Sequence, residues 1–286
     1  MTKRFILNAD NLGLSKAFNK GILESYQEGF LKSTSIVANG EAFDEAINFI
    51  IPKCSDLGIG IHLNISEGKS LCTDLEFLTN SEQVFNNSFW DILIKSYSSK
   101  DNSFFEEIER EFRRQIEKVL SKKQMITHID SHKHIHSIPP IFEIVCRLAK
   151  EYGIKQVRTH FEKFYIIPDL HKHFSKTYFK NLIKLSYLNI FSLINEATTH
   201  KWGLKTNDYI IGIGYNSIMD ALAISYGISA VDRDNITVEV ILKPCRYEEG
   251  FVDSNFSEYL ISKNKKFKEK IEKLGFEITN YAEKEN

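Results

Sequence analysis

MITHIDSHKHIHSIPPIFEIVCRLAKEYGIKQVRT, residues 125–159, carries the pattern that decides the fold. The apolar run at 125–130 reads as a strand and closes on a cluster of histidines. Pro139 then opens a segment of helical period at 139–152, since a first helical turn tolerates the missing N–H. A second apolar run follows at 155–159. Strand, helix and strand in succession make a βαβ unit, whose two strands lie parallel in one sheet.

The rhythm extends outward on both sides. Residues 4–9 read as a buried strand, and 17–28 as a helix whose Ile22, Leu23 and Tyr26 recur at helical spacing before Gly29. A strand at 34–38, a helix at 41–51, a strand at 57–65 and a charged helix at 104–120 lead into the decisive segment. Beyond it come a helix at 178–195, strands at 209–213 and 237–243, and a last helix at 256–273 with a short strand after Gly275. The polar and aromatic stretch 70–102 fits no single element and reads as an insertion over the barrel mouth, a substrate-facing lid. With no repeat, low-complexity tract or linker, the 286 residues are expected to form an α/β fold, a distorted single-domain β/α (TIM-like) barrel with that lid insertion.

Composition narrows the function. Lys plus Arg number 37 against 38 Asp plus Glu, so no charge excess recommends nucleic acid as a partner or attraction to an anionic membrane. Cys54, Cys72, Cys146 and Cys245 form no CxxC pair, which argues against a zinc knuckle or disulfide framework and for a reducing compartment. The apolar start at 5–7 is broken by Asn8 and Asp10, far short of a secretory signal, and 182–194 is too short to span a bilayer. A cytoplasmic protein without a transmembrane segment is the expectation.

Strand after strand ends in groups that bind metal or hydrogen-bond a ligand. The first closes on Asn8, Asp10 and Asn11; the third on His62 and Asn64; the decisive one on His128, Asp130, His132, His134 and His136; the next on Arg158; the strand at 237–243 on Lys243. In a β/α barrel these ends converge on one face. The histidine cluster reads either as solvated loop imidazoles or as a divalent-metal site in which Asp130 fixes a histidine tautomer. Asp10 reads as a carboxylate stabilising the next helix or as a general base. Trp202 is a packing residue or a sugar platform. Lys176, Lys180 and Lys184 recur every four residues, which reads as a solvated stripe over a buried face or as an interfacial helix at a lipid-linked substrate. SYGIS at 225–229 lacks the flanks of a nucleophile elbow and does not support a serine hydrolase.

NADNLGLS at 8–15, STS at 33–35, NG at 39–40, GIHLNISEG at 60–68 and THIDSHKHIH at 127–136, in this order and spacing, resemble the YdjC-like carbohydrate deacetylases. The likeness continues more weakly through VR at 157–158, TNDYIIGI at 206–213 and VEVILKP at 238–244. The resemblance implies a divalent ion, Mg²⁺ first and Zn²⁺, Mn²⁺ or Co²⁺ after it, and removal of acetyl groups from N-acetylated sugars. Carried over residue by residue, it makes Asp10 the general base and Asn11, His62 and His132 the metal ligands. Asn11 stands where the family pattern NADDFG has an aspartate, keeping a carbonyl oxygen but losing the charge, so metal affinity should fall. Lys243 stands where the family has a histidine, and it could donate a proton only with a lowered pKa. The expected chemistry is amide hydrolysis by a metal-activated water. Asp10 takes its proton, His136 or Lys243 protonates the leaving amine, Arg158 orients Asp10 or a sugar hydroxyl, and Asn64 and Asp130 support the site. The rivals are a catalytically silent sugar-binding homologue and a hydrolase of another amide or ester. Association as a homodimer stays open.

Overall fold

The computed structural model describes residues 2–99, 102–168, 174–231, 233–247 and 253–282. Its spine is β1 (Lys3–Leu12), buried from Phe5 to its end. The near-continuous apolar run of Phe5, Ile6, Leu7 and Ala9 suits a parallel strand covered on both faces. β1 pairs in parallel with β8 (Ile236–Leu242) along Lys3–Ala9, with β9 (Phe276–Thr279) at its start and with β2 (Ser33–Ile36) at its end. β3 (Gly58–Leu63) follows β2, β6 (Ile129–Ser131) follows β3, and β7 (Tyr209–Ile211) lies outside β8, giving the order β6-β3-β2-β1-β8-β7 with every pairing parallel.

The sheet curls, and a short stretch of chain staples its two edges. Val157 bridges to Ile129 of β6 and Gln156 bridges to Lys205, both in parallel. The strand expected at 155–159 is thus reduced to two single-residue bridges. Beyond them the side chain of Asn207 replaces the ladder, accepting from the Thr159 N–H at 2.8 Å and donating to its carbonyl at 3.0 Å. The result is the curled parallel sheet of a distorted TIM-like barrel, with its core of Phe5, Leu7, Ile59, Ile61, Ile129, Val238 and Val240.

Helices cover the sheet. α1 (Lys16–Gln27) is capped by Ser15, and the segment expected as a helix at 41–51 runs through α2 (Phe43–Glu45), a π turn (Ala46–Ile50) and a 3-10 turn (Ile51–Lys53). The stretch expected to be a lid insertion is more regular than its composition suggests. β4 (Glu67–Lys69) pairs antiparallel with β5 (Val84–Asn86), and α3 (Phe89–Ser98) starts from a capping box of Ser88 and Asp91; residues 100–101 of the expected lid lie outside the described residues. Its irregular part is held by α4 (Ser103–Ser121): Glu107 accepts from the N–H groups of Glu76 and Phe77, and Glu111 from those of Leu71 and Cys72. Two buried glutamates thereby satisfy a loop that has no ladder of its own.

α5 (Pro139–Glu151) begins at the expected prolines. α6 (Lys176–Trp202) runs well past the expected end at 195, to Gly203 in the left-handed conformation at φ 62°. The lysine stripe does not cover a simple amphipathic helix. Leu185, Leu188 and Phe191 face the core, while Phe179, Ile183, Tyr187, Ile190, Leu193 and Ile194 are each at least 43 % exposed on the opposite side. Trp90 of α3 joins that outer face, its ring 5.2 Å from that of Tyr187. Trp202 packs against the core with its indole N–H on Glu143, the packing reading. α7 (Ala221–Ser229) was not expected; it buries Ser225, whose hydroxyl donates to the Ala221 carbonyl at 2.7 Å, so SYGIS is helix and no elbow. The last expected helix is two, α8 (Ser254–Ser262) and α9 (Lys265–Lys273), because Asn264 caps the second. Among the described residues no helix is long and apolar enough to cross a membrane.

Candidate metal centre

Arg158 organises the C-terminal ends of the strands. Its guanidinium is fully buried and meets three carboxylates from three strands. Nε donates to both oxygens of Glu239 at 2.9 and 3.0 Å, and Nη2 lies 2.9 Å from Asp10 Oδ1, 2.7 Å from Asp130 Oδ2 and 2.6 Å from Glu239 Oε1. Burial works against the charge on Arg158, yet Asp10, Asp130 and Glu239 hold its pKa well above the usual value. Burial likewise disfavours ionised Asp130, but Arg158 and His62 outweigh it and hold the carboxyl well below its usual range. Glu239 goes the other way, raised by burial against the pull of Arg158. Tyr281 donates its hydroxyl to Glu239 at 2.5 Å, stacks on His128 with ring centroids 4.0 Å apart, and takes the Gln156 side-chain amide on its carbonyl.

His62 stands beside this group on β3. Its Nδ1 is 2.7 Å from Asp130 Oδ1, and Ser35 donates to Asp130 Oδ2 at 2.8 Å. Ionised Asp130 only accepts, so Nδ1 carries the proton and Nε2 is left bare for a ligand. Asp10, His62 and Asp130 can each bring one ligand atom within 4.8 Å of the others. Asp10 is held in turn by Asn8, which donates to Oδ1 at 2.9 Å and accepts from Ser33 at 2.7 Å. Gly60 keeps the neighbouring space open, because a Cβ there would fall 2.3 Å from the His128 ring.

Asn11 reaches the same side as Asp10 through a distortion of β1. Successive strand residues ordinarily face opposite ways, but the register shifts between Ala9 and Leu12, and Asn11 takes φ 78°, a left-handed conformation that asparagine tolerates. Its Oδ1 lies 3.2 Å from His132 Nδ1, while His132 Nε2 lies 3.4 Å from Glu67 Oε1 and the His132 ring centroid is 5.5 Å from that of His62. Burial lowers the His132 pKa, so the neutral ring has one proton and two facing oxygen acceptors. A cation shared by Nδ1 and the Asn11 carbonyl oxygen would resolve that mismatch. The donor types on this side of the site, two imidazoles and an amide oxygen beside the Asp10 carboxylate, fit a divalent ion.

The structure therefore brings Asp10, Asn11, His62, Asp130, His132 and Arg158 together. It does not bring His136 or Asn64 into that group. Both ring nitrogens of His136 are engaged, Nδ1 with Ser131 Oγ at 2.5 Å and Nε2 with the Arg158 carbonyl at 3.0 Å, and burial pushes its pKa down to about 4. Asn64 builds the 64–67 turn, accepting from the N–H groups of Ser66 and Glu67 and donating to the Glu67 carbonyl. Lys243 rests on Asn216 Oδ1 at 2.5 Å, with its backbone N–H on Glu258. Lys184 donates to the Lys133 carbonyl at 3.0 Å, and burial, with Lys243 and Lys133 nearby, pushes its pKa down to about 7. Glu239, Tyr281, Ser35 and Glu67 were not singled out from sequence. A glutamate in the middle of the apolar strand VEVIL was the signal for Glu239; nothing marked Tyr281.

The model of the YdjC-like protein family matches residues 4–273. The chain belongs to the YdjC-like family. A carbohydrate deacetylase of Thermoanaerobacter pseudethanolicus is 32 % identical to this YdjC-like protein over 203 residues, 69 % of this chain and 78 % of the relative. A carbohydrate deacetylase of Clostridium beijerinckii is 40 % identical over 151 residues, 53 % of this chain and 58 % of the relative. The chain thus spans less than two thirds of several curated relatives, 57 % in the case of Brevibacillus brevis. Among solved structures, a putative cellobiose-phosphate cleavage protein from Enterococcus faecalis V583 superposes with a TM-score of 0.74 at 20 % identity, covering 98 % of each chain, a likeness of fold.

Proposed function

We propose that this YdjC-like protein is a metal-dependent deacetylase that removes acetyl groups from N-acetylated sugars. The observation that carries the reading is the pair His62 on β3 and His132 just after β6, each with a carboxylate on one ring nitrogen, beside Asp10 and Asn11. The relatives named carbohydrate deacetylase support the class of reaction. His62, His132 and Asn11 would hold the ion; Mg²⁺ is what the family resemblance implies, whereas two imidazoles beside one amide oxygen suit Zn²⁺ or Co²⁺ as well. When bound, such an ion lowers the pKa of a water and polarises an acetamide carbonyl. Asp130 acts through His62, because its own oxygens are taken by His62, Ser35 and Arg158.

Asp10 takes the water's proton. Arg158 and Asn8 fix Oδ1, while Oδ2 has a single longer contact of 3.3 Å to Arg158 and keeps a lone pair for that proton. His136 is withdrawn as the donor to the leaving amine, since neither nitrogen is free and a neutral ring has no proton to give beyond the one on Nε2. That leaves Lys243, whose ammonium donates to Asn216 Oδ1, as the remaining candidate for that role. The β4–β5 hairpin and α3 would serve as the lid, because α3 packs against the turn that bears His132. The outward apolar face of α6 supports a sugar presented at a lipid surface. Four free cysteines fit a cytoplasmic location.

The test is acetate release from N-acetylglucosamine oligomers with Mg²⁺, Mn²⁺, Zn²⁺ or Co²⁺ supplied in turn. Asn11 and Lys243 favour a second reading, a silent sugar-binding homologue. Oligomer binding without acetate release, persisting in Asn11→Asp, selects that one.

A further inference from the structure

Glu67 sits at the start of the β4–β5 hairpin, and its carboxylate on His132 has been given no role of its own. Its backbone is pinned: the carbonyl accepts from Asn64 Nδ2 at 2.9 Å and Asn39 Nδ2 at 3.3 Å, and the N–H reaches Asn64 Oδ1 at 3.4 Å. The side chain points at His132, with Oε1 3.4 Å from Nε2, and Oε2 lies 3.8 Å from Lys133 Nζ. A half-exposed ion pair adds little stability by itself. Its significance lies in which nitrogen of His132 it occupies.

A charged carboxylate outcompetes a neutral amide oxygen for the ring's single proton. With that proton on Nε2, the Nδ1 lone pair faces the Asn11 side-chain amide at 3.2 Å. The arrangement mirrors His62, whose Nδ1 is held by Asp130 and whose Nε2 is bare. We infer that Glu67 is a positioning residue that fixes His132 as its Nε2–H tautomer and brings to the metal site the negative charge that Asn11 lacks. The inference rests on the metal-dependent reading. It explains how a site with an amide in place of a ligating carboxylate keeps its ion: the anion has moved from strand β1 to the hairpin, one ring further out.

Titrating Mn²⁺ into the metal-stripped full chain by calorimetry tests this. Glu67→Gln should weaken binding by about 10- to 100-fold, the usual loss when such a partner is removed from a ligating histidine. In an Asn11→Asp background the same change should lose much less, since the charge is already present, and this coupling is what a merely structural role would not produce. Nitrogen-15 shifts of His132 in the metal-free wild type read the tautomer directly and need no variant. Wild-type binding that Glu67→Gln leaves intact, or an Nδ1–H tautomer in the metal-free protein, overturns the inference while the metal reading stands. Failure of both wild type and Asn11→Asp to bind any of Mg²⁺, Mn²⁺, Zn²⁺ or Co²⁺ overturns both.

Discussion

Replacing Arg158 with methionine keeps much of the side chain's length and removes the one cation among Asp10, Asp130 and Glu239. In the wild type, Nη2 lies within 2.9 Å of an oxygen of each of the three. Taking one partner out of a buried ionic group leaves charges uncompensated and destabilises by about 3–5 kcal/mol, a large share of the roughly 5–15 kcal/mol that holds a domain folded. The deficit should depend on pH, and the sign follows from Asp130. With Arg158 and His62 present its folded pKa is depressed, so it contributes stability above the unfolded value of about 3.9 and loses it as pH falls. Without Arg158, burial dominates and raises the folded pKa, so stability is lost as pH rises instead. Urea denaturation of wild type and Arg158→Met should therefore show a larger gap at about pH 7.5 than at about pH 5. A gap below about 1 kcal/mol, the scale of exposed ion pairs, or one equal at both pH values, would refute the claim that this guanidinium is the counter-charge of the site.

Asp10→Asn should lower kcat by about 10²- to 10⁴-fold while Mn²⁺ affinity changes little, and near-normal turnover would remove Asp10 as the base. Glu162 accepts from the N–H groups of Gly212, Ile213 and Gly214, yet burial raises its pKa to about 7. Its folded pKa exceeds the unfolded value of about 4.3, so its contribution is complete below that pH and is lost as pH rises through about 7; Glu162→Gln should flatten the stability profile between, and an unchanged slope would contradict this. The chain should sediment with vesicles containing phosphatidylglycerol, and Ile183→Asp with Ile190→Asp should abolish it. If those changes instead split a dimer in analytical ultracentrifugation, the α6 face is a subunit contact and the lipid-surface reading fails.

The strand–helix alternation was legible because parallel strands buried on both faces must be apolar along most of their length, as Phe5 to Leu7 and Ile59 to Ile61 are. The same rule made polar strand ends conspicuous, and four of them, from β1, β3, β6 and the stretch around Arg158, do meet. What stayed hidden depends on side chains that replace backbone bonds. Asn207 dissolves an expected strand by taking its ladder bonds, and Glu107 and Glu111 give order to an insertion whose composition looks irregular. His136 misled for a related reason. Its place in a histidine run suggested chemistry, but Ser131 and the Arg158 carbonyl use both nitrogens to fasten the turn to the guanidinium's own backbone. Asn11 was visible as a residue, but its orientation depends on a left-handed backbone conformation that no periodicity reports.

Tyr281 gives the chain's final strand a reach beyond its own pairing. Through one phenol it touches Glu239, through its ring it rests on His128, and through its carbonyl it holds Gln156 at the staple that joins the sheet edges. An affinity tag, fluorescent fusion or trimming cut placed beside 281 is therefore a perturbation of the candidate metal centre in disguise. Assays of this protein are better served by handles attached elsewhere, and a Tyr281→Phe control would tell a weak catalyst from one disturbed by its own label.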